Sequence, residues 1–272
     1  MVSYDSPWNR FRGGILCRLM LTALTRAVSP ALGRCELTYL PRQEINIAKA
    51  VEQHDRYKKC LADLGVRVIS LPADAAMPDA VFVEDPVVVV DEVAVIARTG
   101  AESRRKEAAS LAEALSAFRP LRYLREPATL EGGDVLRIDS TVFVALSPRT
   151  NEAGVSQLAA ELEPFGYRVR PVRVRGCLHL KTACCYVGKE TILVNRAWVD
   201  TAPLDGWKLI DVAEDEPWAA NALRIGETVL LPASFPHTEA ILRRAGLRVH
   251  TLDLSELQKA EGSVTCMSVI FA

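Results

Sequence analysis

From residue 80 onward, apolar and polar positions follow one recurring order. AVFVEDPVVVV and VAVIAR, spanning 80–98, read as two β-branched strands around a polar turn at Asp91-Glu92. SRRKEAASLAEALSAF, 103–118, predicts a helix with Ser103 as its N-cap, and LRYLRE predicts a closing strand. A second unit runs GDVLRI, a turn at Asp139-Ser140, TVFVALS, the helix TNEAGVSQLAAELEPFG and the strand YRVRPVRV. TACCYVG and TILVN, joined at Lys189-Glu190, open a third. ANALRIG, TVLLPA, the helix HTEAILRRAG and RVHTLDL make a fourth. TCMSVIF, 265–271, starts a fifth; ELTYL, the helix NIAKAVEQHDRYKKCLADLG and VRVISLP from the N-terminal part complete it.

Five strand-strand-helix-strand units, the last closed by both ends of the chain, predict an α/β fold: a five-bladed α/β propeller of ββαβ repeats with pseudo-fivefold symmetry. Radial closure removes exposed sheet edges. A doubly wound parallel sheet competes, but it would not carry a hairpin in every unit. The expectation is one domain over 26–272, preceded by an N-terminal extension, 1–25. Within NRFRGGILCRLMLTALTRAV, Arg18 interrupts the apolar run, no convincing cleavage site follows, and the stretch is too short to span a bilayer. Met20 as the start of the protein, with 1–19 an added segment, is favoured over export.

About half of the 272 residues are apolar, enough for a sizeable core, and the formal net charge is −1. No basic block with interleaved aromatics argues for nucleic acid, and no apolar stretch argues for a membrane partner. Arg104-Arg105-Lys106 reads as a solvated helix face. Seven cysteines, none in a CxxC pair, suit reduced thiols in a cytoplasmic protein. Cys177, Cys184 and Cys185 flank His179 at no standard zinc spacing, so no metal is expected. No glycine-rich phosphate loop signals a nucleotide, and no cofactor is expected.

MPDAVFVEDPVVVV, 77–90, sets Asp79, Glu84 and Asp85 into an apolar run, where a carboxylate is costly unless donors or a cation meet it. An internal arginine partner or a turn broken by Pro86 explains the acids without a ligand; a pocket for a cationic substrate is the other reading. The ring gives these acids an address. Entries to the five units should meet near the axis, which gathers the three acids, Glu131, His179, Asn221 and Cys266. A thiol, an imidazole and several carboxylates are the parts for nucleophilic attack on a cationic carbon.

PDAVFVEDPVVV, ARTGAESRRKE, LEGGDVL, SPRTN, LHLK and EGSVTCMSVIF, in this order over residues 77–270, resemble the motif series of the dimethylarginine dimethylaminohydrolases. The wider guanidine-modifying superfamily shares the five-unit propeller. The resemblance implies that Cys266 attacks the guanidinium carbon, that His179 serves as general acid and base, and that Glu131 orients the imidazole. It also implies that Asp85, with Glu84 beside it, grips the guanidinium and that Asp79 takes the α-ammonium. Arg98 and Arg149 match the α-carboxylate positions, and the backbone carbonyls of Val28 and Ala260 match those facing the α-amino group. Cys266-Met267 replaces the paired cysteines common in the family.

The implied partner is a guanidino amino acid; a homodimer is left open. Expected, then, is hydrolysis of Nω-methylated arginine to citrulline and a methylamine. Free arginine or another guanidine is the nearest alternative substrate. A catalytically silent binding protein on the same fold is the alternative from another class, and Cys266, His179 and the acids argue against it.

Overall fold

The structure is a computed structural model that describes residues 20–272. The expectation for residues 1–19 lies outside the described residues. Among those described, the strands form five three-stranded sheets of identical plan. In each, an entry strand runs antiparallel to a middle strand, which runs parallel to a third.

In chain order, β1 (Thr22–Arg26), α1 (Ile47–Asp63) and β2 (Arg67–Leu71) come first. The next sheet has β3 (Val87–Val89), β4 (Ala94–Ile96), α2 (Ala108–Ser116) and β5 (Leu121–Tyr123). β6 (Val135–Ile138), β7 (Thr141–Leu146), α3 (Glu152–Leu162) and β8 (Arg168–Arg173) follow. The one-turn α4 (Leu180–Ala183) leads into β9 (Cys184–Gly188), β10 (Thr191–Val194) and β11 (Lys208–Asp211). β12 (Leu223–Ile225), β13 (Thr228–Pro232), α5 (Pro236–Arg244) and β14 (Arg248–Leu252) form the next sheet. After α6 (Ser255–Gln258), β15 (Val269–Phe271) pairs with β1 and completes the first sheet.

The parallel middle and third strands need a crossover, and an amphipathic helix supplies it in four sheets. Asn46 and Asn151 cap α1 and α3 by accepting from the amides of Lys49 and Gly154. The third sheet departs from the expected repeat: its crossover holds only a 3-10 turn, Ala202–Leu204. Ser103 does not cap a helix, because residues 102–107 wind as a 3-10 helix and its hydroxyl donates to Glu36 at 2.7 Å.

The sequence reading also misplaced the N-terminal strand. Thr22–Arg26, inside the segment set aside as an extension, is the middle strand of its sheet, while residues 36–40 form no strand. TALTR is fully buried; of residues 36–40, Leu37 and Leu40 are half-buried and the other three are exposed. Thr-Ala-Leu-Thr-Arg has no period-2 alternation, whereas Glu-Leu-Thr-Tyr begins with one, so the pattern favours the wrong segment.

The apolar residues gather between sheets. Leu24, Val269 and Phe271 pack with Val87, Ala94 and Ile96. Val88 and Val95 meet Val135 and Val144 across the next gap. Leu136 and Phe143 meet Cys184 and Ile192, and Cys185 and Leu193 meet Val229 and Leu231. Ile225 and Leu230 then meet Ala23 and Met267, which returns the packing to the first sheet. Burying each large apolar side chain contributes about 1.5–3 kcal/mol, so this continuous packing fixes the entry turns relative to one another.

Candidate active site

A tight turn precedes each entry strand, where the apolar run suggested that the strand had already begun. Residues 78–86 form turns, and only Val87–Val89 are extended. Pro78 and Pro86 lack the amides that a ladder requires. The amides of Phe82 and Val87 instead donate within the turns, to Asp79 and Glu84 carbonyls. Comparable turns occupy 132–134, 180–183, 217–220 and 264–267. The turns at 78–86 and 264–267, and those beside Glu131 and His179, bring polar side chains to one buried place.

The turns touch directly. A Cβ at Gly132 would come within 2.1 Å of the Glu84 carbonyl oxygen. One at Gly133 would meet His179 Nδ1 at 2.6 Å and Asp85 Oδ1 at 2.9 Å. Neither glycine has a positive φ, so close approach requires them here rather than left-handed backbone. Asp134 adds a tether: its buried carboxylate accepts from the Leu180 amide at 3.0 Å and from the hydroxyls of Ser147 and Thr150. This fixes the residue after His179.

His179 Nε2 lies 2.7 Å from Glu131 Oε2, and Nδ1 lies 3.8 Å from Asp85 Oδ1. Burial opposes the imidazolium, but Asp85 and the Glu131 hydrogen bond outweigh it and raise the His179 pKa to about 9. Burial likewise opposes ionisation of Glu131, yet the hydrogen bond from His179 holds its pKa down at about 2. The pair is therefore an imidazolium–carboxylate at neutral pH. Burial pushes the half-buried Cys266 thiol up to about 12, and Glu84 and Asp85 add to the shift. Without a cation beside it, this sulfur keeps its proton.

Asp85 also binds Arg104 Nη1 at 2.5 Å. Arg104 is buried, reaches Glu107 at 2.8 Å and donates to the Phe82 carbonyl at 3.0 Å. The sequence reading placed Arg104 on a solvated face; the 3-10 winding of 102–107 turns it inward instead. Removing one member of such a buried ion pair typically costs about 3–5 kcal/mol. The internal arginine partner foreseen for the acids thus exists, and the cleft exists beside it.

The cleft is narrow, with about 30 Å³ of free volume. Asp79, Asp85, Glu131, Arg149, His179, Ala260 and Cys266, all named from sequence, line it. Asp79 accepts from the Glu36 amide at 3.1 Å, and burial raises its pKa to about 6 against the pull of Arg104. Arg149 donates to Thr38 Oγ1 at 3.1 Å and stands 3.5 Å from Glu131 Oε1.

Three named residues stand elsewhere. Glu84 points beneath the floor, where Lys181 and the Thr265 hydroxyl, at 2.9 Å, hold its carboxylate. The opposed directions of neighbouring side chains separate it from Asp85. Arg98 faces Glu126 at 3.6 Å and the Ala128 carbonyl at 3.4 Å. Val28 is buried in the core beside Leu32 and does not line the cleft. Glu36, Phe82, Arg104, Leu178, Glu261 and Gly262 line it without having been singled out. Of these, only Arg104 carried a usable signal, being three residues before Glu107 on one helical face.

Asp85, Glu131 and His179 bring ligand-capable atoms within 4.8 Å of one another. Asp85 is already paired with Arg104 and Glu131 with His179, so both carboxylates have cationic partners within the chain. No described helix is long and apolar enough to cross a membrane.

A family model described as N,N dimethylarginine dimethylhydrolase, eukaryotic, matches residues 38–271. An N(G),N(G)-dimethylarginine dimethylaminohydrolase of Streptomyces coelicolor is 41% identical over 249 residues, 91% of this chain and 95% of that protein. The structure of a Pseudomonas aeruginosa enzyme of that name, a cysteine-to-serine mutant complexed with citrulline, superposes with a TM-score of 0.88. It is 34% identical and covers 93% of this chain and 100% of its own. A dimethylarginine dimethylaminohydrolase adduct with S-methyl-L-thiocitrulline, in a histidine-to-glycine variant, superposes with a TM-score of 0.87 at 35% identity, over 92% and 99% of the two chains.

The α/β fold and the carboxylate-lined thiol–imidazole cleft define a hydrolase of carbon–nitrogen bonds in substituted guanidinium groups. Within that class, the chain belongs to the dimethylarginine dimethylaminohydrolase family.

Proposed function

We propose that this protein hydrolyses Nω-methylated arginine to citrulline and dimethylamine or methylamine through a covalent intermediate on Cys266. The observation that carries the reading is the convergence of Cys266, the His179–Glu131 pair and Asp85 in one cleft, with Asp79 and Arg149 lining the same cleft. The scaffold is read as a five-bladed propeller, since the apolar packing runs from sheet to sheet and back to the first.

Asp85 holds the guanidinium plane through charge-assisted hydrogen bonds. The arriving cation lowers the thiol pKa, and the Cys266 proton departs to solvent. The thiolate adds to the guanidinium carbon and forms a C–S bond. His179 gives its Nδ1 proton to the dimethylamino nitrogen, the C–N bond breaks, and dimethylamine leaves. The neutral imidazole then takes a proton from water, whose oxygen adds to the same carbon. The C–S bond breaks, the sulfur leaves with the remaining proton, and citrulline is released. Glu131 keeps the imidazole oriented and stabilises its cation throughout. Arg149 takes the α-carboxylate and Asp79 the α-ammonium, and this remote binding positions the carbon.

The related citrulline complex and the thiocitrulline adduct support this reading. The test is release of the ureido product, citrulline from asymmetric dimethylarginine, monomethylarginine and arginine or N-carbamoylputrescine from agmatine, under one set of conditions. Preference for the methylated amino acids is expected; release from arginine alone would make the enzyme a deiminase.

A further inference from the structure

Glu261 lies between α6 and the turn that carries Cys266, and it takes a left-handed backbone conformation with φ 58°. Non-glycine residues adopt that region rarely, so the surroundings must impose it. The conformation aims the side chain into the cleft wall beside Ala260. One carboxylate oxygen, Oε1, accepts from three consecutive amides: Thr38 at 3.0 Å, Tyr39 at 2.6 Å and Leu40 at 2.7 Å. This clasps residues 36–40 over the cleft.

The second oxygen behaves differently. Oε2 is buried and accepts no hydrogen bond among the described residues. Burying a carboxylate oxygen without a donor is costly, and buried polar atoms are nearly always paired. The clasp does not relieve it, because all three amides meet Oε1. Both neighbouring groups expected at the ammonium end, Asp79 and Ala260, line the same cleft.

We propose that Glu261 Oε2 accepts a hydrogen bond from the substrate's α-ammonium, so that two carboxylates, Glu261 and Asp79, share this group. One side chain would then read the ammonium and hold the covering segment, tying recognition to closure. The inference rests on the amino-acid substrate argued above.

Glu261→Gln separates the two roles. The amide oxygen can still accept from the three backbone amides, while the charge facing the ammonium is lost. kcat/KM is measured for dimethylarginine and for its analogue lacking the α-amino group, in the unaltered enzyme and the variant. Loss of one charged hydrogen bond predicts a fall of about tenfold or more for dimethylarginine. The analogue should keep its rate within about twofold, which also shows that the variant folds. Equal losses on both substrates would reduce Glu261 to a clasp and overturn the inference, as would no loss on either. An unaltered enzyme inactive on methylarginines would overturn the proposed reaction itself.

Discussion

The reacting end of the cleft and its recognition end are built in different ways. Cys266, His179, Glu131 and Asp85 stand on or beside the turns that precede entry strands, so each inherits its position from the repeated sheet plan. Apart from Asp79, which shares the turn of Asp85, the recognition end is assembled from connections that do not repeat: residues 36–40, the segment holding Arg149, and Ala260–Gly262. Its contacts are clasps, namely Glu36 on Asp79, Thr38 on Arg149 and three amides on Glu261. In the proposed reaction, chemistry therefore sits on the repeated part and selectivity on the part that exchange of loops can alter. A free volume of about 30 Å³ holds roughly one water, less than an amino acid fills.

The largest effects belong to the reacting end. Cys266→Ser should lower turnover about ten-thousandfold or more, since loss of a nucleophile removes the covalent route. Citrulline affinity, measured by calorimetry, should change little because the recognition end is untouched. Substantial turnover by the pure variant would sink the covalent mechanism. His179→Gly should cost about a hundred- to ten-thousandfold and slow release of the intermediate more than its formation. Mass spectrometry of acid-quenched enzyme should find the adduct on Cys266; an adduct on Cys184 or Cys185 would move the site.

The difference in construction also explains what the sequence disclosed. The repeated pattern led to the entries of the units, hence to Cys266, His179, Glu131 and Asp85, and family motifs supplied their roles. Periodicity could not reveal that 78–86 are turns, because the same valines and phenylalanine suit a buried turn and a buried strand. It could not show that Glu84 points beneath the floor, since one residue's shift decides the direction of a side chain. At the recognition end nothing repeats. Glu36 and Glu261 look like ordinary surface acids until residues more than 200 positions apart meet. Thr22–Arg26 carries no strand signal of its own, because its partners, Val269–Phe271 and Arg67–Leu71, are distant in sequence.

Each end has its own ionisation, which pH separates. Asp79, with its pKa raised to about 6, must be ionised to hold an ammonium, so kcat/KM should rise through about pH 6. His179, raised to about 9, must be protonated as the acid, so kcat/KM should fall beyond about pH 9. Glu131→Gln removes a support of the imidazolium and should shift the alkaline limb to lower pH. Asp79→Asn should abolish the acidic limb and leave the alkaline one. The limbs follow these assignments only if each variant alters its own; exchange of the two would reverse the division. The His179 pair also contributes to stability, in full below its unfolded value of about 6.5, and that contribution is lost as pH rises through about 9.

The smallest expected difference lies within the recognition end, between two arginines that the sequence treated alike. Arg149 lines the cleft and touches its covering segment, whereas Arg98 is engaged by Glu126 and the Ala128 carbonyl. A lysine keeps the charge but loses the planar fork that matches a carboxylate. Arg149→Lys should therefore lower kcat/KM for dimethylarginine by about tenfold, in line with one charge-assisted hydrogen bond. Arg98→Lys should cost only about twofold. Repeating both with the decarboxylated analogue locates the effect: the Arg149 loss should vanish there, since nothing remains for the guanidinium to grip. If the Arg98 variant shows an equal loss that also vanishes with the analogue, Arg98 leaves Glu126 on substrate binding and both arginines hold the carboxylate. If neither loss depends on the carboxylate, the recognition end reads some other feature of the substrate.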